Sequence, residues 1–456
     1  MVLAAIKLAF VALAQTVCVG NCIAKSECDP GFGIQWANAT ECPLNGCCSD
    51  AGYCGIGQEF CGDRKFDKRS CDSKVYPVGR VIGYYDATQQ SCDLFSPSNI
   101  RADIYTHINF AYATIDTETF RIRPQFKDDI DIYHELVRLK ELKRSLKIFI
   151  SVGGWQFGEG PRQQTMSEMV ASEEKQTVFI SSLISFINTY EFDGLDFDWR
   201  YPGAPQKNGD IDDVKNLVTF ARNLKAALRS TGRGDAFSMT LPASYSYLQY
   251  FDLKSLSQHV DWFNFMSFDL HGAFRTPDSW INNKLNAHTN LTEIADAVDL
   301  LWRSGVPSSN VNLGLAFYSR TLTASSSDCI HKGCPFDSAG QSWGCSGELG
   351  LLSNADINLM VSSSNTKPGL DEKAAVRTMR RDDQWIAYDD QTTIQIKVDF
   401  ARSQCMGGVF VCLTKQDFDG VDLGDYTVES CRWSNCAGDY PSGYEAIKRV
   451  EDGEKG

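Results

Sequence analysis

Eight short apolar runs, each followed by a longer amphipathic stretch, recur between residues 80 and 412 and narrow the chain to one architecture. The runs are Arg80–Asp86, Tyr105–Tyr112, Lys147–Ser151, Gly194–Asp198, Phe237–Leu241, Trp262–Phe268, Val311–Phe317 and Gly408–Cys412. Their length and composition make them buried strands. Asp129–Arg144, Glu173–Thr189, Val214–Arg229 and Leu291–Arg303 are helix-like segments lying between them. Eight such β–α units predict an α/β fold, the TIM (β/α)8 barrel, whose working residues sit at the C-terminal ends of the strands. A long cysteine-bearing stretch, about 321–390, interrupts the seventh unit.

The 456 residues leave room for a small module before the barrel. Lys7 and the apolar run Leu8–Ala14, followed by small residues, predict a cleaved secretory signal over about residues 1–20. No second apolar segment is long enough to span a membrane. Seventeen cysteines in a secreted, extracellular chain imply disulfides, and eight of them fall between Cys22 and Cys71. So dense a patch relies on covalent staples in place of a large core. The six histidines show no metal-ligand spacing, so neither metal nor cofactor is expected. A formal net charge of −14 disfavours nucleic acid and suits a neutral polymer. Asn38-Ala39-Thr40 and Asn290-Leu291-Thr292 are sequons for N-glycans.

Within the cysteine patch, Cys47-Cys48-Ser49 and Gly52-Tyr53-Cys54-Gly55, followed by Phe60-Cys61, resemble the hevein-type chitin-binding module over residues 22–71. The resemblance implies that Ser49, Tyr53 and Phe60 hold N-acetylglucosamine by hydrogen bonding and stacking. The third aromatic position is Ala51 and Phe60 lacks a hydroxyl, which predicts weakened affinity.

Residues 79–430 resemble glycoside hydrolase family 18 and are followed by a short tail at 431–456; Gly333-Cys334-Pro335-Phe336 and Cys431-Arg432-Trp433-Ser434-Asn435-Cys436 resemble the fungal subgroup related to the killer-toxin large subunit. The family likeness rests on Arg80–Tyr85, Ser151-Val152-Gly153-Gly154-Trp155, Phe265-Met266-Ser267-Phe268-Asp269, Leu313–Arg320 and Gly407–Val411. It rests above all on Asp193, Asp196 and Asp198, the first three acids of the D-x-x-D-x-D-x-E signature. The family implies that residues 321–390 form an α+β insertion deepening one wall of the cleft. It also implies substrate-assisted catalysis, in which the sugar's own acetamide attacks the anomeric carbon. The protein then supplies a proton, groups that orient the acetamide, and an apolar floor.

All three supplies are altered. The proton donor is replaced by Arg200, whose guanidinium keeps its proton up to a pKa above about 12. The tyrosine expected to bind the acetamide is Phe268, and the tryptophan of the floor is Cys412. Thr88 stands where an aromatic often follows the first strand. Asp196, Asp198 and Asp269 remain, with Arg200 expected to pair with Asp198 or Asp269. The resemblance assigns substrate contacts to Tyr84, Gly153, Gly154, Trp155, Met266, Phe268, Asp269, Tyr318, Arg320 and Cys412, with Trp155 a stacking platform on the leaving-group side. Phe157 and Trp385 are further candidates for a groove lining.

The expectation is a secreted protein that binds chitin or chito-oligosaccharides and has lost hydrolysis. From a fungus it would shield wall chitin or keep soluble fragments from a host's receptors. Two alternatives stand: an active chitinase with an atypical donor, and a toxin-subunit-like carrier that uses chitin as a docking surface.

Overall fold

The computed structural model describes residues 26–31, 37–64, 70–71, 78–87, 96–158, 160–273, 283–343, 347–363 and 367–413. The expected signal, Cys22, Thr88 and the tail at 431–456 lie outside them.

The chain enters through a disulfide-rich module whose described residues form a 3-10 turn, Pro43–Asn45, a ribbon, β1 (Cys47–Cys48) against β2 (Cys54–Gly55), and a short helix, Gln58–Cys61. Three disulfides, Cys28–Cys48, Cys42–Cys54 and Cys47–Cys61, hold it together. Cys71 is not among these staples. It bridges 334 residues to Cys405, just before the last barrel strand, so the patch of eight cysteines is not a closed unit.

The barrel strands are β3 (Arg80–Asp86), β4 (His107–Ile115), β6 (Lys147–Gly153), β7 (Gly194–Asp198), β8 (Ala236–Pro242), β9 (Trp262–Met266), β10 (Val311–Leu315) and β17 (Gly408–Leu413). Each pairs in parallel with the next, and β17 pairs with β3 to close the ring. A short strand β5 (Ile122–Pro124) folds back on β4. Outward-facing residues such as Leu195 and Phe197 meet the surrounding helices in one large apolar core, as a two-sided parallel sheet requires. The helices start where their capping residues stand. The Ser172 side chain accepts from Lys175 N at the head of Glu173–Thr189, and Asn290 accepts from Thr292 N before Leu291–Arg303. Asn290 is 2 % exposed and also donates to Glu293, so that sequon is occupied by a structural role.

Two runs stop earlier than their apolar character predicts. The sixth ends at Met266, because Asp269 takes a left-handed φ of 56° and turns the chain out of the sheet. The seventh ends at Leu315, and an antiparallel sheet begins at Tyr318, three residues before the expected start of the insertion. That sheet comprises β11 (Tyr318–Ala324), β12 (Phe336–Ala339), β13 (Leu351–Ser353), β14 (Gly369–Asp371), β15 (Val376–Arg381) and β16 (Gln384–Tyr388), with the helix Asn354–Ser363 packed beside it. Trp385 is buried in its core, and Phe157 is buried in the barrel's outer core. Trp385 fills the space between packed elements, whereas Phe157 also borders a small recess it shares with Trp199, Tyr201 and Lys207.

Candidate functional site

Strand β7 places its residues by alternation. Asp196 and Asp198 point into the barrel while Leu195 and Phe197 point out. Register then supplies Asp196 with neighbours: Ser151 on β6 and Ser238 on β8 lie directly beside it. Both hydroxyls donate to its carboxylate, Ser151 at 2.7 Å and Ser238 at 2.8 Å. The Tyr84 hydroxyl donates at 2.9 Å and Asn264 Nδ2 at 3.0 Å. Asn264 in turn donates to Tyr84 and accepts from Asn312. Asp196 is fully buried. Burial pushes its carboxyl above the ordinary value, against the pull of these donors. Burial, reinforced by Asp196 and Asp198, also pushes the Tyr84 phenol well up.

Two residues on, the environment changes. Asp198 is 1 % exposed, and Arg200 grips both its oxygens, Nε to Oδ1 at 3.0 Å and an Nη to Oδ2 at 2.9 Å. The same terminal nitrogen donates to the Tyr112 hydroxyl at 3.3 Å. Burial alone would lower the guanidinium's affinity for its proton, but Asp198 and its hydrogen bonds more than reverse this. Of the two partners the sequence offered for Arg200, the structure selects Asp198.

Asp269 belongs to a second pair at the barrel mouth. Arg320 Nε donates to it at 2.8 Å and an Nη at 3.1 Å, while His288 Nδ1 lies 3.5 Å away. Burial would raise the Asp269 carboxyl, yet the Arg320 charge and the bonds from His288 and Arg320 hold it well below the usual carboxylate range. Beside the Asp269–Arg320 pair stands an aromatic wall, with the Arg320 guanidinium over the Tyr318 ring. Phe268 meets Tyr318 and Phe410 edge-on at 6.1 and 5.9 Å, and Phe410 lies 5.4 Å from Tyr84. Met266 is buried in the same cluster. Cys412 pairs with Tyr84 through the backbone of β17.

The end of β6 explains its two glycines. A Cβ on Gly153 would lie 2.1 Å from the Asp198 carbonyl oxygen, and one on Gly154 would lie 2.8 Å from the Tyr112 ring. Glycine is what lets β6 close against β7 and Tyr112 reach Arg200. Beyond them Trp155 is 52 % exposed, 6.4 Å from Tyr201, with the Lys207 ammonium over both rings. Asp193, the first acid of the motif, sits apart at the opposite end of β7. It takes Lys140 at 2.6 Å and the Ile148 N–H at 2.8 Å, and serves as an anchor between strands.

In the module, Ser49 and Tyr53 close one turn: Tyr53 N donates to the Ser49 hydroxyl at 3.1 Å and Ser49 N to the Tyr53 carbonyl at 2.9 Å. The Phe60 ring lies flat on Gly55, where a Cβ would come within 2.5 Å of it. Ala51 is exposed beside them. Two groups of thiols and histidine approach metal-binding spacing among the described residues, but their cysteines are in disulfides. Among the described residues no helix is long and apolar enough to cross a membrane.

Of the residues read from the sequence, Asp198, Arg200, Phe268, Asp269 and Arg320 lie at this mouth and Tyr84 and Asp196 in the barrel's middle. Sequence reading missed Tyr112, Ser238, Asn264, Asn312 and His288. Their signal was the polar residue at an inward position of an apolar strand, visible for Ser238, Asn264 and Asn312 once the register is known.

Residues 80–417 match the family described as glycosyl hydrolases family 18, and residues 33–74 match that described as chitin recognition protein. The chain is 30 % identical over 371 residues to the killer toxin subunits alpha/beta of Kluyveromyces lactis, covering 76 % of this chain and 30 % of that one. It is 27 % identical over 411 residues to the secreted chitinase LysM12 of Penicillium expansum, covering 82 % of this chain and 27 % of the relative. The chain thus spans under a third of the length of either. Among solved structures, an immunomodulatory active chitinase from Trichuris suis superposes with a TM-score of 0.66 at 22 % identity, over 73 % of this chain and 91 % of that one. Human YKL-39, described as a pseudo-chitinase with retained chitooligosaccharide binding, superposes with a TM-score of 0.65 at 22 % identity, again over 73 % and 91 %. At that identity both likenesses speak to the fold.

Proposed function

The chain belongs to glycosyl hydrolases family 18, and from that premise we propose that it binds chitin and chito-oligosaccharides without cutting them. The observation that carries this reading is the Arg200 guanidinium forked onto Asp198 at the end of β7. There the family resemblance calls for a glutamic acid that protonates the departing oxygen. A guanidinium has no proton to give near neutral pH. The remaining acids do not replace it. Asp198 has both oxygens engaged, Asp269 is held deprotonated by Arg320, and Asp196 is enclosed by four donors. Phe268 offers no hydroxyl to an acetamide.

General acid catalysis is worth roughly 10²–10⁴ in rate, and one donor aimed at developing charge about 10²–10³. The parts act as a unit, so the factors do not multiply. Either loss alone makes hydrolysis slow. Binding is less demanding: the Ser49–Tyr53 turn with Phe60 supplies a first contact, and the exposed Trp155 supplies a face at the cleft. The disulfides suit an oxidising, extracellular compartment.

Incubation of purified protein with chitohexaose, read by mass spectrometry, beside retention on insoluble chitin tests this. Intact hexamer with strong retention is expected, and steady release of short sugars would overturn the reading. The likeness to killer toxin subunits supports a second reading, a carrier that docks on chitin; a stoichiometric partner chain in native preparations would favour it.

A further inference from the structure

The module meets the barrel through a compact polar seat. Arg303, the last residue of its helix, donates to the Asn45 carbonyl at 2.7 Å, and Asn45 Nδ2 returns a bond to the Arg303 carbonyl at 2.9 Å. Asp299, one turn earlier, braces the Arg303 guanidinium at 3.0 Å. The Tyr245 hydroxyl donates to the Pro43 carbonyl at 3.1 Å, and the Ser304 hydroxyl to that of Leu44 at 3.4 Å. Gly46 permits this approach, since a Cβ there would lie 2.9 Å from the Tyr245 oxygen. Leu44 and Ile56 pack against the barrel's apolar core. A last-turn helix carbonyl and an arginine are satisfied by the module in place of water, as helix ends require.

These contacts share a location. Pro43–Gly46 run into β1 and Ile56 follows β2, so every one falls at the open end of the ribbon. The turn from Ser49 to Tyr53 closes the other end. The Cys71–Cys405 bridge then ties the chain that leaves the module to the base of the last strand. Domains joined by small polar contacts ordinarily move against each other.

We propose that this module is instead a fixed limb of the barrel, gripped at the open end of its ribbon by Arg303, Ser304 and Tyr245 and presenting the Ser49–Tyr53 turn outward. Sugar caught by the turn is thereby held at one orientation to the cleft, with no freedom of a flexible tether to lose on binding.

Amide nitrogen relaxation on the full oxidised chain tests the proposal. In the native protein, residues 47–55 should tumble with the 50.7 kDa particle and give rigid order parameters near 0.85. Arg303→Ala should drop those of the turn below about 0.6 while barrel amides are unchanged. Asn45→Ala leaves the bond from Arg303 to the Asn45 carbonyl and removes the other one, from Asn45 Nδ2 to the Arg303 carbonyl, without altering the helix, and should loosen the turn in the same direction if Arg303→Ala disturbs the helix. Independent tumbling of the module in the native chain, or unchanged relaxation in both variants, would overturn the proposal. Failure of the protein to retain chitin would sink the binding reading and leave this one standing.

Discussion

The middle of the barrel and its mouth hold carboxylates by opposite means. In the middle, Asp196 is surrounded by neutral donors, two serines, a tyrosine and an asparagine, and its carboxyl is pushed up. At the mouth, Asp198 and Asp269 each face a forked guanidinium. A cage of dipoles tolerates either protonation state, whereas a charge pair fixes one. The motif's three acids are one residue type with three fates: Asp193 is anchored by Lys140 and the Ile148 N–H, Asp196 by donors from other strands, and Asp198 by Arg200 two residues on.

The largest effect expected is at the mouth. Asp198→Ala leaves the Arg200 guanidinium, 20 % exposed, without its counter-charge and should cost up to about 3 kcal/mol, measured as a shift in denaturant midpoint. A change under about 1 kcal/mol, the scale of a surface pair, would mean that solvent reaches Arg200 freely.

Acidification separates the two regions next. Asp269 is depressed in the fold, so its stabilisation is present above the unfolded carboxylate value of about 3.9 and is lost as pH falls through the folded one. Asp196 is raised, so its contribution is fully present below that value and is lost as pH rises through the folded one. Melting temperature against pH should therefore lose part of its acid limb in Asp269→Asn, and in Asp196→Asn it should flatten on the side above the unfolded carboxylate value. Parallel curves for the two variants would erase the distinction.

The smallest effect expected is on turnover. Arg200→Glu restores a carboxyl but leaves Phe268 in place, and chitohexaose hydrolysis should stay near background. Full activity from this single change would show that the proton donor alone separates this mouth from a working one.

The barrel was legible because strands buried on both faces betray themselves as apolar runs, and β7 starts and ends where its run does. The Arg200–Asp198 pair was legible because its partners are two residues apart. The cage around Asp196 was not, since Tyr84, Ser151, Ser238 and Asn264 come from four other strands and only register unites them. Trp385 misled because an aromatic's bulk serves a core as well as a groove. Cys71 misled for a similar reason: proximity in sequence to seven other cysteines says nothing about which thiol the fold delivers.

The bridge from Cys71 to Cys405 makes most of the polypeptide a covalent ring. A protease that nicks an exposed loop anywhere within that ring opens it without releasing either half. One such cut is then survivable. The nicked molecule should run as a single species on a gel until a reductant is added.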